Sequence, residues 1–460
     1  MALTKAHNRM IDGASFNILD FGAIGDGVTD DTAAIQAALD AAYATGNYAT
    51  VLVPPSPSGN EYIFTQLLVK SRTTFKGTGG QLKLRDNVCV DSGTSYYPIN
   101  NLGHDRVIYD SLFVIGNRSG GNTSFTVADT ITAVGFRTVV KNCILYDAPD
   151  SGIMFSDCTR GACLNNYIEG ASDVGIYSNG SVGSAYQSSV ISGNIIKSAG
   201  VTGIALKREI RGVVIDGNTI TDCPNAISHE DFGVGFGGHP SDVTISNNQI
   251  FNANGNTAIT LNRLTNSVVT GNNITGTSNT GISVAGGVNS IISGNFIQGN
   301  GSETSSFAGI GVNSRTDTGN ASVTRSDRMT ITGNSVSNYL GKGIWILSCD
   351  NTAVTGNIFN VGGEALRLEA GSTNTVAQSN FIDGAADLVL YSGATYLLKN
   401  SILGGVLADG HRSIAAAQPL PTSVSSTVTA NYIGEEVLHL AANTWFKAYG
   451  TGLQEWSQLN

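Results

Sequence analysis

The heptapeptide VISGNII at 190–196 decides the fold, because variants of it return along much of the chain. VVIDGNTI at 213–220, VTISNNQI at 243–250, VVTGNNI at 268–274 and IISGNFI at 291–297 carry an asparagine at the same place in an apolar segment. The asparagines of successive copies are mostly 23 or 24 residues apart. A period of this length indicates a repeat architecture, in which each unit buries its apolar face only against its neighbours.

Aligning all copies gives a column of asparagines with apolar residues three positions earlier, starting at Val139, and two positions later, starting at Ile144. The apolar flanks predict inward-facing core positions, and Cys163 is one of them. We expect the asparagine amides to form a hydrogen-bonded ladder from turn to turn. Asp110 is a candidate start of the column, which runs through Asn142, Asn166, Asn194, Asn218, Asn248, Asn272, Asn295, Asn334, Asn357, Asn380 and Asn400.

A second motif, G-I-x-V or a variant of it, follows the first in each copy, as in GIMF at 152–155, GIYS at 175–178 and GIAL at 203–206. Each turn therefore contains at least two short strands. Parallel strands lie about 4.8 Å apart, so about eleven turns predict a parallel β-solenoid of roughly 50 to 55 Å. An open end of such a solenoid exposes core residues and unpaired strand edges, and it needs a cap.

The segment DFGAIGDGVTDDTAAIQAALDAA at 20–42 has the order of a phosphate-binding loop: strand, glycine-rich loop, helix. Its glycines are spaced G-x-x-G-x-G, the reverse of the dinucleotide fingerprint, and no Lys-Ser/Thr pair follows as in a P-loop. We interpret the loop instead as a turn whose glycines adopt positive φ and whose aspartates cap a helix. The apolar face of that helix, which we expect to cap the solenoid, consists of Ile35, Ala38, Leu39 and Ala42.

The composition favours many short strands over long charged helices, because only 13% of the residues are charged and 57 are glycine. The net charge of -10 comes without a basic block, which argues against nucleic acid as a partner.

No apolar run reaches the length of a membrane span and the first residues lack a signal-peptide core, so we expect neither membrane insertion nor conventional secretion. The six cysteines lack metal-site spacing and are expected to be buried thiols. No acidic cluster has calcium spacing, and we expect no metal and no cofactor.

FNILDFGAIGDGVTDDTAAIQAALDAA at 16–42, followed by these repeats, resembles the pectate-lyase superfamily of right-handed parallel β-helix proteins. The opening MALTKAHNRMIDGA at 1–14 resembles the short virion-attachment segment that precedes this motif in tailspikes and tail fibres of bacteriophages. The resemblance extends to about Leu407. The motif is shared by lyases, hydrolases, epimerases and receptor-binding spikes, so it does not select a reaction.

The resemblance implies an all-β protein, a right-handed single-stranded parallel β-helix with an N-terminal capping helix and a small β-rich C-terminal module. Residues 1–16 would attach to a phage tail or baseplate protein, 17–407 would form the β-helix with its cap, and 408–460 would form the module. In similar spikes such modules help to build a parallel homotrimer. Trp445 and Trp456 would serve that interface or a capping core.

Outward positions of the G-I-x-V strand form columns, because residues in the same register of stacked repeats lie about 5 Å apart. Charge concentrates in ALKRE at 205–209 and SHEDF at 228–232, on two neighbouring turns. Insertions after this strand, at 178–189, 231–242 and 313–327, are expected to wall a groove for an extended glycan. The candidate catalytic residues are Glu230, Asp231, Glu209 and Lys207. The candidate substrate-binding residues are Tyr177, Arg208, Asn262, Arg263 and His239.

Glycoside hydrolysis is the slightly favoured chemistry for this cluster. It needs one carboxyl group that donates a proton and a second that acts as base or nucleophile, and Glu230, Asp231 and Glu209 supply both. The same residues also fit a surface ladder of compensating charges, with Lys207 opposite Glu230 and Arg263 opposite Asp231.

β-Elimination is the second chemistry that fits. A base such as Lys207, His229 or Tyr177 would remove the proton next to a uronate carboxylate that Arg208 or Arg263 neutralises. His229 falls on an inward position of the alignment, which is more typical of a satisfied core histidine than of a base.

The sequence therefore predicts a phage tailspike, located on the virion tail, that binds and depolymerises a bacterial surface polysaccharide. A non-catalytic receptor-binding spike is one alternative. A bacterial polysaccharide lyase or epimerase of the same fold, unconnected with a virion, is another, and the attachment-like start at 1–14 argues against it.

Overall fold

The structure is a computed structural model that describes most of the chain. The described residues are 15–89, 95–123, 128–180, 187–230, 240–253, 255, 257–302, 306–316, 323–369, 371–383, 387–390, 396–403, 411–414, 436–439, 444–448 and 456–459. They fall into two compact units, unit 1 within 15–230 and unit 2 within 240–459.

Unit 1 contains one α-helix, α1 (Thr32–Ala44), two short 3-10 turns (Ile18–Phe21 and Arg118–Gly120) and 22 strands. The strands are β1 (Ser15–Asn17), β2 (Ala49–Val53), β3 (Tyr62–Phe64), β4 (Leu67–Leu68), β5 (Thr73–Gly77), β6 (Gln81–Leu84), β7 (Ile99–Asn100), β8 (Ile108–Asp110), β9 (Phe113–Ile115), β10 (Ile131–Phe136), β11 (Val139–Lys141), β12 (Ile144–Tyr146), β13 (Ile153–Thr159), β14 (Ala162–Leu164), β15 (Tyr167–Glu169), β16 (Val174–Asn179), β17 (Val190–Ser192), β18 (Ile195–Lys197), β19 (Thr202–Lys207), β20 (Val214–Asp216), β21 (Thr219–Thr221) and β22 (Asn225–Glu230).

These strands form three parallel sheets, and each coil of the chain contributes one strand to each sheet. Sheet A joins β1, β2, β5, β8, β11, β14, β17 and β20 in that order. Sheet B joins β3, β6, β9, β12, β15, β18 and β21. Sheet C joins β4, β7, β10, β13, β16, β19 and β22. One parallel strand per coil in each sheet is the predicted single-stranded parallel β-helix.

Unit 2 repeats the same three-sheet coil. Its strands are β23 (Thr244–Ser246), β24 (Gln249–Phe251), β25 (Ile259–Asn262), β26 (Val268–Thr270), β27 (Asn273–Thr277), β28 (Ile282–Ala285), β29 (Ile291–Ser293), β30 (Phe296–Gly299), β31 (Ala308–Asn313), β32 (Arg315–Thr316), β33 (Val323–Thr324), β34 (Ser326–Asp327), β35 (Thr330–Thr332), β36 (Ser335–Ser337), β37 (Lys342–Leu347), β38 (Cys349–Asp350), β39 (Ala353–Thr355), β40 (Ile358–Asn360), β41 (Glu364–Leu368), β42 (Thr375–Asp383), β43 (Asp387–Leu390), β44 (Tyr396–Leu403), β45 (His411–Ile414), β46 (Glu436–His439), β47 (Thr444–Ala448) and β48 (Trp456–Leu459).

The last four strands form a separate sheet in the order β45, β46, β47, β48. β45 pairs in parallel with β46, whereas β46, β47 and β48 pair antiparallel. This pairing differs from the parallel coils before it. The proposed segment 408–460 therefore contains a β-sheet of its own, and its role in capping or trimerisation stays a prediction.

The asparagine ladder lies at the corner between sheets A and B. In unit 1, Asn166 Nδ2 donates to Asn194 Oδ1 and Asn194 Nδ2 donates to Asn218 Oδ1, both at 2.9 Å. In unit 2 the same 2.9 Å bond runs through Asn248, Asn272, Asn295, Asn334, Asn357 and Asn380. Every one of these asparagines is at most 1% exposed, so the ladder satisfies amides that would otherwise be buried without partners.

The predicted column was wrong at its start, at Asp110 and Asn142. Asp110 is the last residue of β8 and pairs with Lys141, so it precedes the ladder position of its coil. Val140, not Val139, pairs with Cys163, and the ladder position three residues later is Cys143, whose N–H donates to Asn166 Oδ1 at 2.9 Å. Asn142 instead occupies the left-handed corner position with φ 56°, which asparagine tolerates better than most residues. Leu145, not Ile144, lies in the core column and is fully buried.

The opening turn caps the coil as predicted. The predicted apolar face of α1, which consists of Ile35, Ala38, Leu39 and Ala42, is fully buried. Gly25 has φ 63°, and a Cβ there would lie 2.7 Å from the Tyr62 ring, so glycine is required on both grounds.

The aspartates of the turn accept hydrogen bonds from its backbone N–H groups. Asp31 accepts from Ile24 N–H at 2.6 Å and from Gly25 N–H at 3.0 Å, while Asp30 accepts from Thr32 N–H at the start of α1. A loop whose amides already bond to its own carboxylates is not a phosphate cradle. Ser15 and Phe16 pair with β2 and so belong to sheet A, whereas the attachment-like residues 1–14 lie outside the described residues.

All six cysteines are free and buried, as predicted. Burial raises the pKa of the Cys143, Cys158 and Cys349 thiols to about 12, which leaves them protonated and unreactive at neutral pH.

Candidate functional site

The outer face of sheet C carries the two side-chain columns predicted from the G-I-x-V motif. In unit 1 the first column aligns Met154, Tyr177, Ala205 and Ser228. The second aligns Ser156, Asn179, Lys207 and Glu230. Small or buried neighbours surround Tyr177 in the first column, since Ala205 is fully buried and Ser228 is 6% exposed. Tyr177 is therefore the large aromatic side chain of this part of the face.

Lys207 reaches from the second column across to the first. Its Nζ lies 4.3 Å from the centroid of the Tyr177 ring, within the range of a cation–π contact. Both side chains are half-buried. The end of β19 thus brings a cation and an aromatic ring together on a partly desolvated surface, where electrostatic interactions are stronger than in water.

Three aspartates lie at the starts of successive sheet C strands. Asp129 precedes β10, Asp150 precedes β13 and Asp173 precedes β16. Asp173 N–H donates to the Asp150 carbonyl at 3.1 Å, which places these two residues on adjacent coils. The Asp150 carboxylate accepts from Ala128 N–H at 3.3 Å. We refer to Asp129, Asp150, Asp173, Tyr177 and Lys207 as the aspartate–lysine cluster.

Burial and mutual repulsion perturb the aspartates. Desolvation, and next the charge of Asp150, raise the pKa of Asp129 to about 8, against smaller opposing effects of a Ser151 hydrogen bond and Lys207. Desolvation also raises the pKa of the half-buried Asp150. The charge of Asp173 adds to this increase, whereas the Ala128 hydrogen bond and the charge of Lys207 oppose it. At neutral pH Asp129 is therefore protonated, while Asp150 holds its proton more tightly than an exposed aspartate.

Several polar atoms beside the cluster lack hydrogen-bond partners. Asp129 Oδ2, Thr130 Oγ1 and Thr132 Oγ1 are buried and have none among the described residues. Thr132 pairs with Met154 and so continues the first outward column. Buried polar atoms without partners are uncommon, and a group of them at one place offers hydrogen bonds to a polar ligand or to water.

The cluster combines a neutral carboxyl group with ionisable ones. Asp129 is protonated at neutral pH, and it lies beside the carboxyl groups of Asp150 and Asp173 and the ammonium group of Lys207. A carboxylate on such a surface stabilises positive charge that develops on a sugar ring. The neighbouring carboxyl groups of Asp150 and Asp173 are the arrangement that acid–base chemistry requires.

Glu209 does not share this surface. The chain turns at Arg208, whose φ is 63°, and Glu209 is only 4% exposed and forms an ion pair with Arg211. Its carbonyl also accepts from Gln187 Nε2 at 3.3 Å. This is the geometry of a structural ion pair, and a catalytic role for the Glu209 carboxylate stays a prediction that this geometry does not favour.

Other predicted site residues are placed only in part. The backbone of Glu230 pairs with Lys207, as the charge-ladder alternative requires, but its side chain lies outside the described residues, as do Asp231 and His239. His229 is 2% exposed and lies on the inward register, as predicted, with Nε2 3.2 Å from the Arg208 carbonyl.

Asn262 and Arg263 belong to unit 2. Asn262 ends β25 and pairs with Ala285, and Arg263 follows at a left-handed corner with φ 54°. Their predicted role in substrate binding stays a prediction.

Sequence reasoning missed the three aspartates. Their signal is an aspartate placed shortly before the second motif in three successive copies, ADTI at 128–131, PDSGI at 149–153 and SDVGI at 172–176. The next copy, VTGI at 201–204, lacks it. A polar residue that recurs over only part of a repeat array is therefore a useful pointer to a site.

Neither a metal site nor a membrane helix emerges from the part of the chain that the structure describes. There, His, Cys, Asp and Glu side chains do not assemble into a group of three or more suited to an ion. Across the same residues, α1 and the shorter turns are not long and apolar enough to cross a bilayer.

Two family models match the chain. Residues 15–228 match the model described as rhamnogalacturonase A/epimerase, pectate lyase-like, and residues 233–403 match the right-handed β-helix region. Among curated proteins, a mannuronan C5-epimerase of Azotobacter vinelandii, AlgE5, is 50% identical over 68 residues, which is 14% of this chain and 7% of that protein. The tail spike protein of Shigella phage Sf6 is 27% identical over 161 residues, 32% of this chain and 25% of that protein.

Solved structures agree on the fold. The A-module of the Azotobacter vinelandii mannuronan C5-epimerase AlgE4 superposes with a TM-score of 0.60 at 19% identity, over 79% of this chain and 100% of that one. A mutant tailspike of E. coli bacteriophage HK620 in complex with pentasaccharide superposes with a TM-score of 0.58 at 12% identity, over 89% of this chain and 77% of that one.

The chain matches only short parts of its curated relatives, so their activities do not carry over directly. The family matches and the superpositions agree with the parallel coils described above. The protein is thus a right-handed parallel β-helix whose residues 15–228 match a pectate lyase-like family model, as the entry motif and the asparagine repeats predicted.

Proposed function

We propose that this protein is a phage tailspike that binds a bacterial surface polysaccharide and hydrolyses it at the aspartate–lysine cluster of unit 1. The observation that carries the proposal is the electrostatic inequality of the aspartates. Desolvation and neighbouring charge raise the pKa of Asp129 and Asp150 beside a half-buried Lys207 and Tyr177. Carboxyl groups whose environments separate their proton affinities are typical of acid–base sites.

Asp150 is the proposed general acid. Burial raises its pKa, and it donates its proton to the glycosidic oxygen of the leaving sugar. Asp173 is the proposed nucleophile, and its carboxylate attacks the anomeric carbon as the bond to that oxygen breaks. Asp150 then takes a proton from water, whose oxygen replaces Asp173 at the anomeric carbon.

The spacing of the coils favours this pair. Asp150 and Asp173 lie one coil apart, and adjacent parallel strands are about 4.8 Å apart. Retaining glycosidases hold their two carboxyl groups about 5 to 5.5 Å apart, whereas inverting enzymes need more room for a water molecule. We therefore expect retention of anomeric configuration.

In this proposal Tyr177 binds the substrate and Lys207 adjusts the pKa of the neighbouring aspartates. The exposed part of the Tyr177 ring offers a surface on which a sugar ring stacks. Lys207 lowers the proton affinity of Asp150 and Asp129, so that the acid releases its proton during the reaction.

The tailspike assignment rests on the likeness to the Sf6 tail spike protein and on the β-helix fold. The tailspike assignment implies that the protein is located on the virion tail, forms a homotrimer, and attaches to a tail or baseplate protein through residues 1–14. If the protein instead acts apart from a virion, deleting 1–14 will leave its incorporation into phage particles and their infectivity unchanged.

The mass of the reaction products tests the proposal. Purified protein is incubated with capsular and lipopolysaccharide glycans of candidate host bacteria, and the products are analysed by mass spectrometry. Fragments that carry one added water support hydrolysis. If every glycan that the protein binds returns intact, the depolymerase proposal fails and a non-catalytic receptor-binding spike takes its place.

β-Elimination is the second candidate, and the contact of Lys207 with Tyr177 favours it. A cation over a phenol ring stabilises the phenolate form, and Tyr177 would then remove the proton next to a uronate carboxylate. The likeness to an epimerase that acts on mannuronan points to the same substrate chemistry. Unsaturated fragments without added water would establish it.

A further inference from the structure

A column of arginines runs along one corner of unit 1, between sheets C and A. Arg72 N–H donates to the Asp105 carbonyl, one residue before Arg106. Arg106 N–H donates to the carbonyl of Phe136, one residue before Arg137. Arg137 N–H donates to the carbonyl of Thr159, which precedes Arg160. We refer to Arg72, Arg106, Arg137 and Arg160 as the arginine stripe.

The backbone conformation at this corner does not favour arginine. All four residues of the stripe are left-handed, with φ between 55° and 64°, a conformation that asparagine and aspartate adopt more readily than arginine. The equivalent corner of unit 2, which also precedes the sheet A strands, shows that preference. Its left-handed residues are Asp242, Asn266, Asn289, Arg328, Asn351 and Asn374. Four consecutive arginines at such a corner are therefore unexplained by the fold.

Three members of the stripe surround one aromatic ring. The guanidinium carbons of Arg106, Arg137 and Arg160 lie 5.7, 4.9 and 5.8 Å from the centroid of Phe136. The three arginines are exposed, and Phe136 is half-buried. Stacking on the ring holds three like charges close together on the surface, where repulsion would otherwise spread them apart.

These charges have no counter-ion among the described residues. In the part of unit 1 that the structure describes, no carboxylate forms an ion pair with Arg106, Arg137 or Arg160, although other cations of the unit do pair. The neighbouring Asp105 carboxylate accepts from Phe136 N–H at 2.8 Å. A concentrated, uncompensated positive surface on a chain of net charge -10 is suited to an external anion.

We infer that the arginine stripe binds an acidic polysaccharide, through its carboxylate, sulfate or phosphate groups. The stripe presents one guanidinium per coil at a spacing of about 4.8 Å, which is a linear array suited to a polymer with regularly repeated negative charges. Arginine pairs with carboxylate and phosphate in a bidentate geometry, and Phe136 adds an apolar surface for a sugar ring. The inference concerns binding at this corner and does not depend on the reaction proposed for the aspartate–lysine cluster.

The test replaces the arginines by the residue that unit 2 uses. The variant R106N/R137N/R160N is compared with wild type for binding of polygalacturonate oligosaccharides and of uncharged dextran oligosaccharides, at two salt concentrations. The matched control is R85Q/R118Q/K197Q, which removes three exposed cations that pair with Asp30, Asp147 and Glu169. Both variants change the net charge from -10 to -13, since each loses three positive charges.

We expect R106N/R137N/R160N to bind polygalacturonate more than about tenfold more weakly, with a smaller salt dependence, while the control stays within about twofold of wild type. The melting temperature of R106N/R137N/R160N should not fall, because asparagine suits the left-handed corner. Unchanged polygalacturonate binding, or an equal loss in the control, would overturn the inference. Glycan cleavage is scored separately in the same samples, so failure of the reaction proposal is distinguishable from failure of this one.

Discussion

The corner between sheets A and B and the outer face of sheet C are built by the same coils and serve opposite purposes. At the corner, asparagine returns coil after coil, fully buried, with its side-chain amide bonded to the next one at 2.9 Å. On the outer face the residues in register differ from coil to coil, from Thr132 to Tyr177 to Ser228. Repetition therefore marks what holds the coils together, and departure from repetition marks where one part of the surface differs chemically from the rest.

The two regions also differ in how well their polar groups are satisfied. Asn194 uses its amide as donor and acceptor and leaves nothing for a ligand. Asp129, by contrast, is buried with Oδ2 unbonded and with its pKa raised to about 8. Functional sites commonly lower the stability of a fold, and its regular parts compensate for that loss. In this chain the asparagine ladder and the aspartates are only a few residues apart on the same coil.

Removing one rung of the ladder should have the largest effect on stability. Asn272→Ala takes away the acceptor of Asn248 N–H and Nδ2 and leaves the carbonyl of Ile245 without its donor, all in the core. We expect a loss of roughly 3 kcal/mol or more in the free energy of unfolding, measured by urea denaturation. The control is Asn273→Ala, next in sequence and half-buried, which should cost less than about 1 kcal/mol. Equal losses would show that the ladder adds nothing beyond ordinary surface hydrogen bonds.

Removing the cation of the cluster should change activity without changing the fold. We expect Lys207→Met to lower kcat/KM on the cleaved glycan about 100-fold, and to move the basic limb of the pH profile to higher pH, because Lys207 lowers the pKa of the general acid Asp150. Lys197→Met is the control, since this lysine pairs with Glu169 on sheet B. A profile that keeps its shape in Lys207→Met would contradict the assigned role.

Asp129 should make the protein less stable as the pH rises. Its pKa is near 3.8 when unfolded and about 8 when folded, so the folded state retains a proton that the unfolded state has released between these values. Stability therefore falls from about pH 4 to pH 8, by at most roughly 6 kcal/mol from this group. Asp129→Asn should flatten that slope and raise the melting temperature by several degrees at pH 8, with little effect at pH 4. A variant that is destabilised at pH 8 would show that the buried carboxyl group is ionised.

Extending the ladder should have the smallest effect. Cys143 occupies the ladder position before Asn166, and an asparagine there would add one more rung. We expect Cys143→Asn to stabilise the protein by about 1 kcal/mol, provided that the rung finds the same partners as its neighbours. Calorimetry measures the change, and a clear decrease in melting temperature would show that the corner at this coil is shaped for the thiol.

The sequence predicted the parts of the molecule that depend on repetition. The ladder, the core columns and the two outward columns follow from register alone. The prediction slipped at the start of the ladder, where Asn142 stands at the left-handed corner beside the ladder position. Tyr177 and Lys207 were found because they lie in an outward column. The attachment of 1–14 and the roles of Asp231 and His239 stay predictions.

The rest of the site could not be predicted, because it depends on where the chain bends. Glu209 follows Lys207 closely in sequence, yet the left-handed Arg208 turns it away into an ion pair with Arg211. Asp129 and Asp150 are far from Lys207 in sequence, yet the coils bring them within its electrostatic influence. Proximity in sequence was a poor guide here, whereas the partial recurrence of aspartate before the second motif would have been a better one.

The most direct measurement compares glycan cleavage by wild type, Asp150→Asn and Glu209→Gln. The account predicts that Asp150→Asn loses about 1000-fold in kcat/KM and keeps its melting temperature, because it removes the proton donor of the reaction. It predicts the opposite for Glu209→Gln, a lower melting temperature with the activity of the folded enzyme within a few-fold of wild type, because that carboxylate is buried and pairs with Arg211. If Asp150→Asn cleaves at the wild-type rate while Glu209→Gln is inactive yet folded, the chemistry lies where the sequence first suggested, and the aspartate–lysine cluster is not the active site.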